Sequence, residues 1–204
     1  MTTMYHVRPL TSGDENAACR LVDARVYQSM ETNQPCNTRD LGAAIHTGGK
    51  GLIAFCSDGE LHGLLFLDYG PLPGHWPDAH RAVPSLRIVS ACTRAGQRRL
   101  TGALMTWWAR DFAARSGLEQ LCHEVPVDTR GAHTRLVTHL TRSCGWETAS
   151  GADRVGDRYV RLMCTALRDP DITRLLRCDV PVPAPARPGP APGTNAVPAS
   201  AGAA

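Results

Sequence analysis

Polar and apolar positions alternate from Tyr5 to Pro9 (YHVRP), which predicts a first strand. Thr11-Ser12-Gly13-Asp14 then offers a helix start. Ala18, Leu21, Val22, Val26 and Met30 fall on one face of the helix that follows. Glu31 to Thr38 is polar and contains a proline, and Asp40 to Thr47 reads as a short helix closed by Gly48-Gly49. The apolar runs Leu52–Cys56 and Leu61–Leu67 flank Ser57-Asp58-Gly59-Glu60, whose Asp-Gly pair predicts an antiparallel hairpin. Tyr69 to Pro84 carries four prolines and two glycines and predicts a long loop, a length that in a compact domain is usually functional or disordered.

Ser85 to Cys92 (SLRIVSAC) is β-favouring and free of Gly and Pro, so it predicts a strand, broken at Thr93-Arg94-Ala95-Gly96. Leu100, Ala103, Leu104, Trp107, Trp108 and Phe112 then recur at helical spacing until Gly117. Leu118 to Val125 reads as the next strand. Asp128-Thr129 can cap a predicted helix with Leu136, Val137, Leu140 and Cys144 on one face, ended by Gly145. Trp146–Ala149 and Arg158–Leu167 form a final hairpin around the polar Ser150–Asp157 turn.

Composition sharpens the domain plan. The 204 residues suffice for one ordinary core and an appendage. We divide them into a domain over 1–168, a short helical extension over 169–179, and a tail over 180–204 whose Pro, Ala and Gly bury too little to order themselves. The net charge of +3 is small, Lys50 is the only lysine, and the arginines are dispersed, so a nucleic-acid partner is not expected. The eight cysteines lack the two-to-four-residue spacing of paired zinc ligands, and no metal is expected. No signal peptide precedes the first strand and no apolar stretch approaches a membrane span. The expectation is a cytoplasmic protein with reduced thiols and no membrane partner.

The chemistry points to the turn Gln97-Arg98-Arg99-Leu100-Thr101-Gly102-Ala103, which starts a helix directly after a strand. Free N–H groups, the positive end of the helix dipole, two arginines and a glycine together make anion-binding geometry. Here the chain resembles the GNAT superfamily of N-acetyltransferases, whose signature Gln/Arg-x-x-Gly-x-Gly/Ala stands as Gln97-x-x-Leu100-x-Gly102, with Leu100 at the first Gly position. The predicted order of elements is similar to that fold from about Tyr5 to Leu167. The resemblance implies an α/β (α+β) domain with a mixed central sheet of about seven strands and about four flanking helices. It implies acetyl-CoA as co-substrate, its pantetheine arm lying between two parallel strands that splay apart. Ser90, Ala91 and Cys92 would pair with that arm, and the backbone of Gln97, Arg98, Arg99, Leu100, Thr101, Gly102 and Ala103 would hold the pyrophosphate.

The resemblance also sets expectations for catalysis. The acceptor is an amine, on a small molecule or a protein. Bringing it from a pKa of about 10.4 to its neutral form at pH 7 costs roughly 4.6 kcal/mol, so a base or a desolvated site is needed. Glu124, in the strand beside the splay, is the candidate base, acting directly or through water, with Asp68 and Asp128 as alternatives. Thr141 stands where many members of the family place a tyrosine that protonates the departing thiolate. A backbone N–H at a bulge near Ser90 to Cys92 would polarise the thioester carbonyl, and direct attack without an acyl-enzyme is expected. The loop residues His75, Trp76 and His80 are candidates for acceptor contact. A rival reading is a GNAT fold that has lost its chemistry and serves as a CoA-binding or protein-interaction module. Oligomeric state, a homodimer among the alternatives, is not legible.

Overall fold

The computed structural model describes residues 4–32, 38–94, 100–126, 134–149 and 159–183. Gln97, Arg98, Arg99, Asp128 and residues 184–204 of the tail lie outside the described residues. Eight strands form one mixed sheet in the order β6-β7-β5-β4-β3-β2-β1-β8. They are β1 (Tyr5–Pro9), β2 (Leu52–Ser57), β3 (Glu60–Asp68), β4 (Ser85–Thr93), β5 (Gln120–Pro126), β6 (Glu147–Thr148), β7 (Tyr159–Thr165) and β8 (Leu176–Cys178). The helices are α1 (Glu15–Thr32), α2 (Arg39–His46), α3 (Asp78–Arg81), α4 (Leu100–Arg115), α5 (Thr134–Ser143) and α6 (Pro170–Leu175).

The expected hairpin forms because Asp58 and Gly59 both take positive φ, 52° and 79°, so a two-residue turn matches the twist of β2 and β3. Gly51 starts β2 for a different reason. Its φ is 95°, and a Cβ there would sit 2.2 Å from the Leu67 carbonyl. At the chain's entrance Asp14 takes a bidentate hold on Arg8, at 2.5 and 2.8 Å, and also accepts from the Thr11 amide and hydroxyl. The Arg8 bonds, opposed by burial, lead in holding the Asp14 carboxyl far below the usual range.

The sheet separates two cores. On one face α1 and α2 cover β2 to β4 through Leu21, Val22, Leu41, Ile45, Ala54, Leu64 and Cys92. On the other, α4 packs Leu104, Met105, Trp108 and Phe112 against Phe55, Leu65, Leu86 and Leu121, each fully buried Leu contributing about 1.5–3 kcal/mol. Trp108 stacks on Phe112 with ring centroids 4.9 Å apart. Leu100 departs from the periodicity. It is 57% exposed, because the first residue of the helix has not yet reached the sheet.

The eighth strand lies in what the sequence reads as a helical extension. Asp169 caps α6 by accepting from the Asp171 and Ile172 amides, and its own amide donates to buried Asp111 of α4 at 3.1 Å. Ile172 and Leu176 enter the main core, and β8 adds to β1 in parallel. The proline-rich segment before β4 is likewise more built than a plain loop. It contains α3 and buries Leu72 and Trp76 with Cys122 and Ala149 in a third apolar patch.

Candidate active site

Strands β4 and β5 run in parallel register from Ser85↔Gln120 to Ile88↔His123, and there the pairing ends. β4 continues to Thr93 and β5 to Pro126, so their second halves diverge. The cause is one extra residue in β4. Leu67 pairs with Ile88 and Phe66 with Ser90, which leaves Val89 as a bulge. The bulge reverses the strand's faces: Leu86 and Ile88 point into the α4 core, whereas Cys92 joins the α1–α2 core. His123 marks the fork, its Nδ1 donating to the Ile88 carbonyl at 2.8 Å. Burial pushes its pKa below 6.5, against the opposing pull of that carbonyl and the Glu124 charge.

Beyond the fork β4 still pairs with β3 through Ser90, Ala91 and Cys92, but among the described residues it no longer pairs with β5. This stretch contains the residues expected to meet a pantetheine arm. Ser90 and Cys92 are buried and Ala91 is exposed. The Cys92 thiol lies 3.8 Å from the Leu21 carbonyl, inside the α1–α2 core rather than in the gap.

Helix α4 starts at the same end of the sheet. Thr101 is buried, with its hydroxyl 3.2 Å from the Tyr5 phenol, and Ala103 is buried in the core. Between them lies Gly102, where a Cβ would meet nothing within 4 Å among the described residues. Packing against the described residues therefore does not require this glycine, while an anion approaching the amides of the helix start would.

The opposite face of β5 holds the charged part of the site. Leu121 and Val125 point toward α4; Cys122 and Glu124, alternating with them, point to the other face. Glu124 is 20% exposed. It accepts a hydrogen bond from His75 Nε2 at 2.5 Å and lies 3.7 Å from Arg161 Nε, its register partner on β7. Sequence reasoning singled out Glu124 but missed Arg161, whose signal is a charge set inside the otherwise apolar run of β7. Asp68, an alternative base, accepts from Arg87 at 2.6 Å and from the Gly70 amide at 2.8 Å. Burial works against its charge, but those two donors outweigh it and hold the carboxyl below the usual range. The Thr141 hydroxyl donates to the Val137 carbonyl at 2.9 Å, so its proton is used within α5.

No protein-family model and no curated protein matches the sequence. Solved structures do match. A GNAT-family acetyltransferase from Listeria monocytogenes superposes with a TM-score of 0.61 at 12% identity, over 79% of this chain and 94% of that one. The ribosomal-protein-S18-alanine N-acetyltransferase from Escherichia coli gives 0.51 at 12% identity, over 80% and 94%. The N-acetylglutamate synthase from Neisseria gonorrhoeae, complexed with coenzyme A and N-acetyl-glutamate, gives 0.50 at 16% identity, over 80% of this chain and 35% of that one. The chain has the GNAT N-acetyltransferase fold, and among the described residues no helix is long and apolar enough to cross a membrane.

Proposed function

We propose that the protein transfers acetyl from acetyl-CoA to an amine by direct attack. The observation that carries this reading is the fork between β4 and β5. A bulge at Val89 ends the pairing with β5 beside a helix start where Gly102 meets no neighbour among the described residues. The arm of acetyl-CoA would lie along Ser90 to Cys92 as an added strand, its pyrophosphate over Leu100 to Ala103. The co-substrate supplies a thioester, and an amide N–H near the bulge would polarise its carbonyl. In this reading an amine would enter from the Glu124 side while the co-substrate enters from the α4 side. With the Cys92 sulfur in the core, no acyl-enzyme is invoked.

A second reading, a CoA-binding module without turnover, is favoured by the Thr141 hydroxyl being tied to its own helix. Both readings need CoA to bind. Gly102→Glu puts a carboxylate where an anion should sit, and with open space at that Cβ the fold should hold. Calorimetric titration should show at least a hundredfold weaker CoA binding, about 2.7 kcal/mol, with an unchanged melting temperature. Binding as tight as the parent's, or a parent that binds no CoA, overturns the proposal. Turnover of acetyl-CoA with any primary amine then separates enzyme from module.

A further inference from the structure

We infer that the group which takes the acceptor's proton is His75, and that Glu124 is its positioning residue. This inference rests on the acetyltransferase reading and deepens it. Trp76 is buried against Cys122 in the patch it shares with Leu72 and Ala149, and this anchors the loop to the back of β5. The neighbouring His75 is thereby set over Glu124, two residues further along β5 on the same face. Its ring is 51% exposed and its Nε2 donates to Glu124 Oε1. Glu124 is backed by the nearly buried Arg161 guanidinium on the same oxygen. Glu124 Oε1 is thus already engaged by both His75 and Arg161.

The geometry assigns the two ring nitrogens different work. With Nε2–H donating to the carboxylate, the neutral imidazole carries its lone pair on Nδ1, which has no hydrogen-bond partner among the described residues. Glu124 fixes the tautomer and compensates the imidazolium once it forms. The charged groups on this face of the sheet include Glu124 on β5, Arg161 on β7 and the Asp68–Arg87 pair on β3 and β4, with Glu147 on β6 and the Arg8–Asp14 pair at β1 further out. The amine nitrogen bonds to the acetyl carbon as the carbon–sulfur bond breaks, and Nδ1 accepts the proton the nitrogen sheds. The thiolate takes up one proton, and starting from the ammonium form one proton goes to solvent.

Two measurements test this. Long-range proton–nitrogen NMR on histidine-labelled protein reads the tautomer of His75 without any acceptor. A neutral ring protonated on Nε2 is expected, with that preference lost in Glu124→Gln; a ring protonated on Nδ1 overturns the inference. Steady-state transfer from acetyl-CoA to a panel of alkylamines, polyamines and lysine peptides gives the second readout. His75→Gln should lower kcat at pH 7 by about a hundredfold without weakening CoA binding. Glu124→Gln should lower it about tenfold with KM unchanged, and Glu124→Asp should recover part of the loss. Thermal melts accompany each variant, because Glu124 also compensates Arg161. Normal CoA binding with parental kcat in His75→Gln overturns the base assignment alone, whereas a parent that binds no CoA overturns the acetyltransferase reading with it. If no amine in the panel turns over, the tautomer decides.

Discussion

The two halves of the β4–β5 pair are built from similar residues and do opposite things. From Ser85 to Ile88 the strands are in register, and their polar groups find partners within the pair or on the segments beside it. Gln120, buried, donates to the Ser85 hydroxyl at 2.7 Å and to the His80 carbonyl at 2.9 Å. From Val89 to Thr93 the same strand turns its edge to a gap, and Glu124, the first residue of β5 past the fork, meets a loop histidine instead of β4. One inserted residue separates the halves. Strand pairing satisfies backbone groups wherever it continues, and in the acetyltransferase reading the co-substrate takes the place of β5 beyond the fork.

The comparison is broken most severely by attacking the paired half. Leu86 is fully buried between β4 and α4, and Leu86→Ala removes its burial and leaves a cavity. We expect a loss of about 2–5 kcal/mol in denaturant unfolding, with CoA affinity unchanged while the protein is folded. Gly102→Glu should do the reverse. A Leu86→Ala protein of parental stability, or one that loses CoA before it loses structure, would erase the distinction between the halves.

A smaller effect comes from the fork itself. His123 has a depressed pKa because burial disfavours its charged form. The unfolded chain therefore binds the proton more readily, so the stability this group contributes is complete above about pH 6.5 and is lost as pH falls from there. Melting temperature should decline between pH 7 and pH 5.5, and less steeply in His123→Gln. Equal slopes would place the sensitivity at another histidine.

How much of this was legible in the chain depends on the range of the interaction. The hairpin at Asp58-Gly59 was legible because the turn states its own backbone geometry, and the helix after Gly96 because its apolar period does. Glu124 was legible as a charge ending an apolar strand. The bulge at Val89 was not, since a run of small and apolar residues looks the same whichever face each residue takes. His75 and Arg161 were not tied to Glu124 because they approach it from 49 and 37 residues away. The strand Leu176–Cys178 was hidden for another reason, being too short to show alternation.

The least disruptive change sharpens the comparison at the open half. Leu100 occupies the position where the acetyltransferase signature has its first glycine, and at 57% exposure it contributes little to the core. It is also the first residue of α4, where a helix residue lacks the intrahelical partner its amide would need and propensity counts least. Leu100→Gly should therefore cost well under about 1 kcal/mol of stability, less than the full Gly penalty of a helix interior. Removing the side chain lets a phosphate come closer to the amides of Thr101 and Gly102, so CoA should bind as tightly as in the parent or up to about tenfold more tightly, a gain of about 1.4 kcal/mol. Calorimetric titration reads this directly and avoids thiol reagents, which eight cysteines would consume. A weaker Kd in a folded Leu100→Gly protein would mean that the leucine side chain itself contacts the co-substrate. The helix start would then bind by apolar cover as well as by its amides, and the open half would be less open than its backbone indicates.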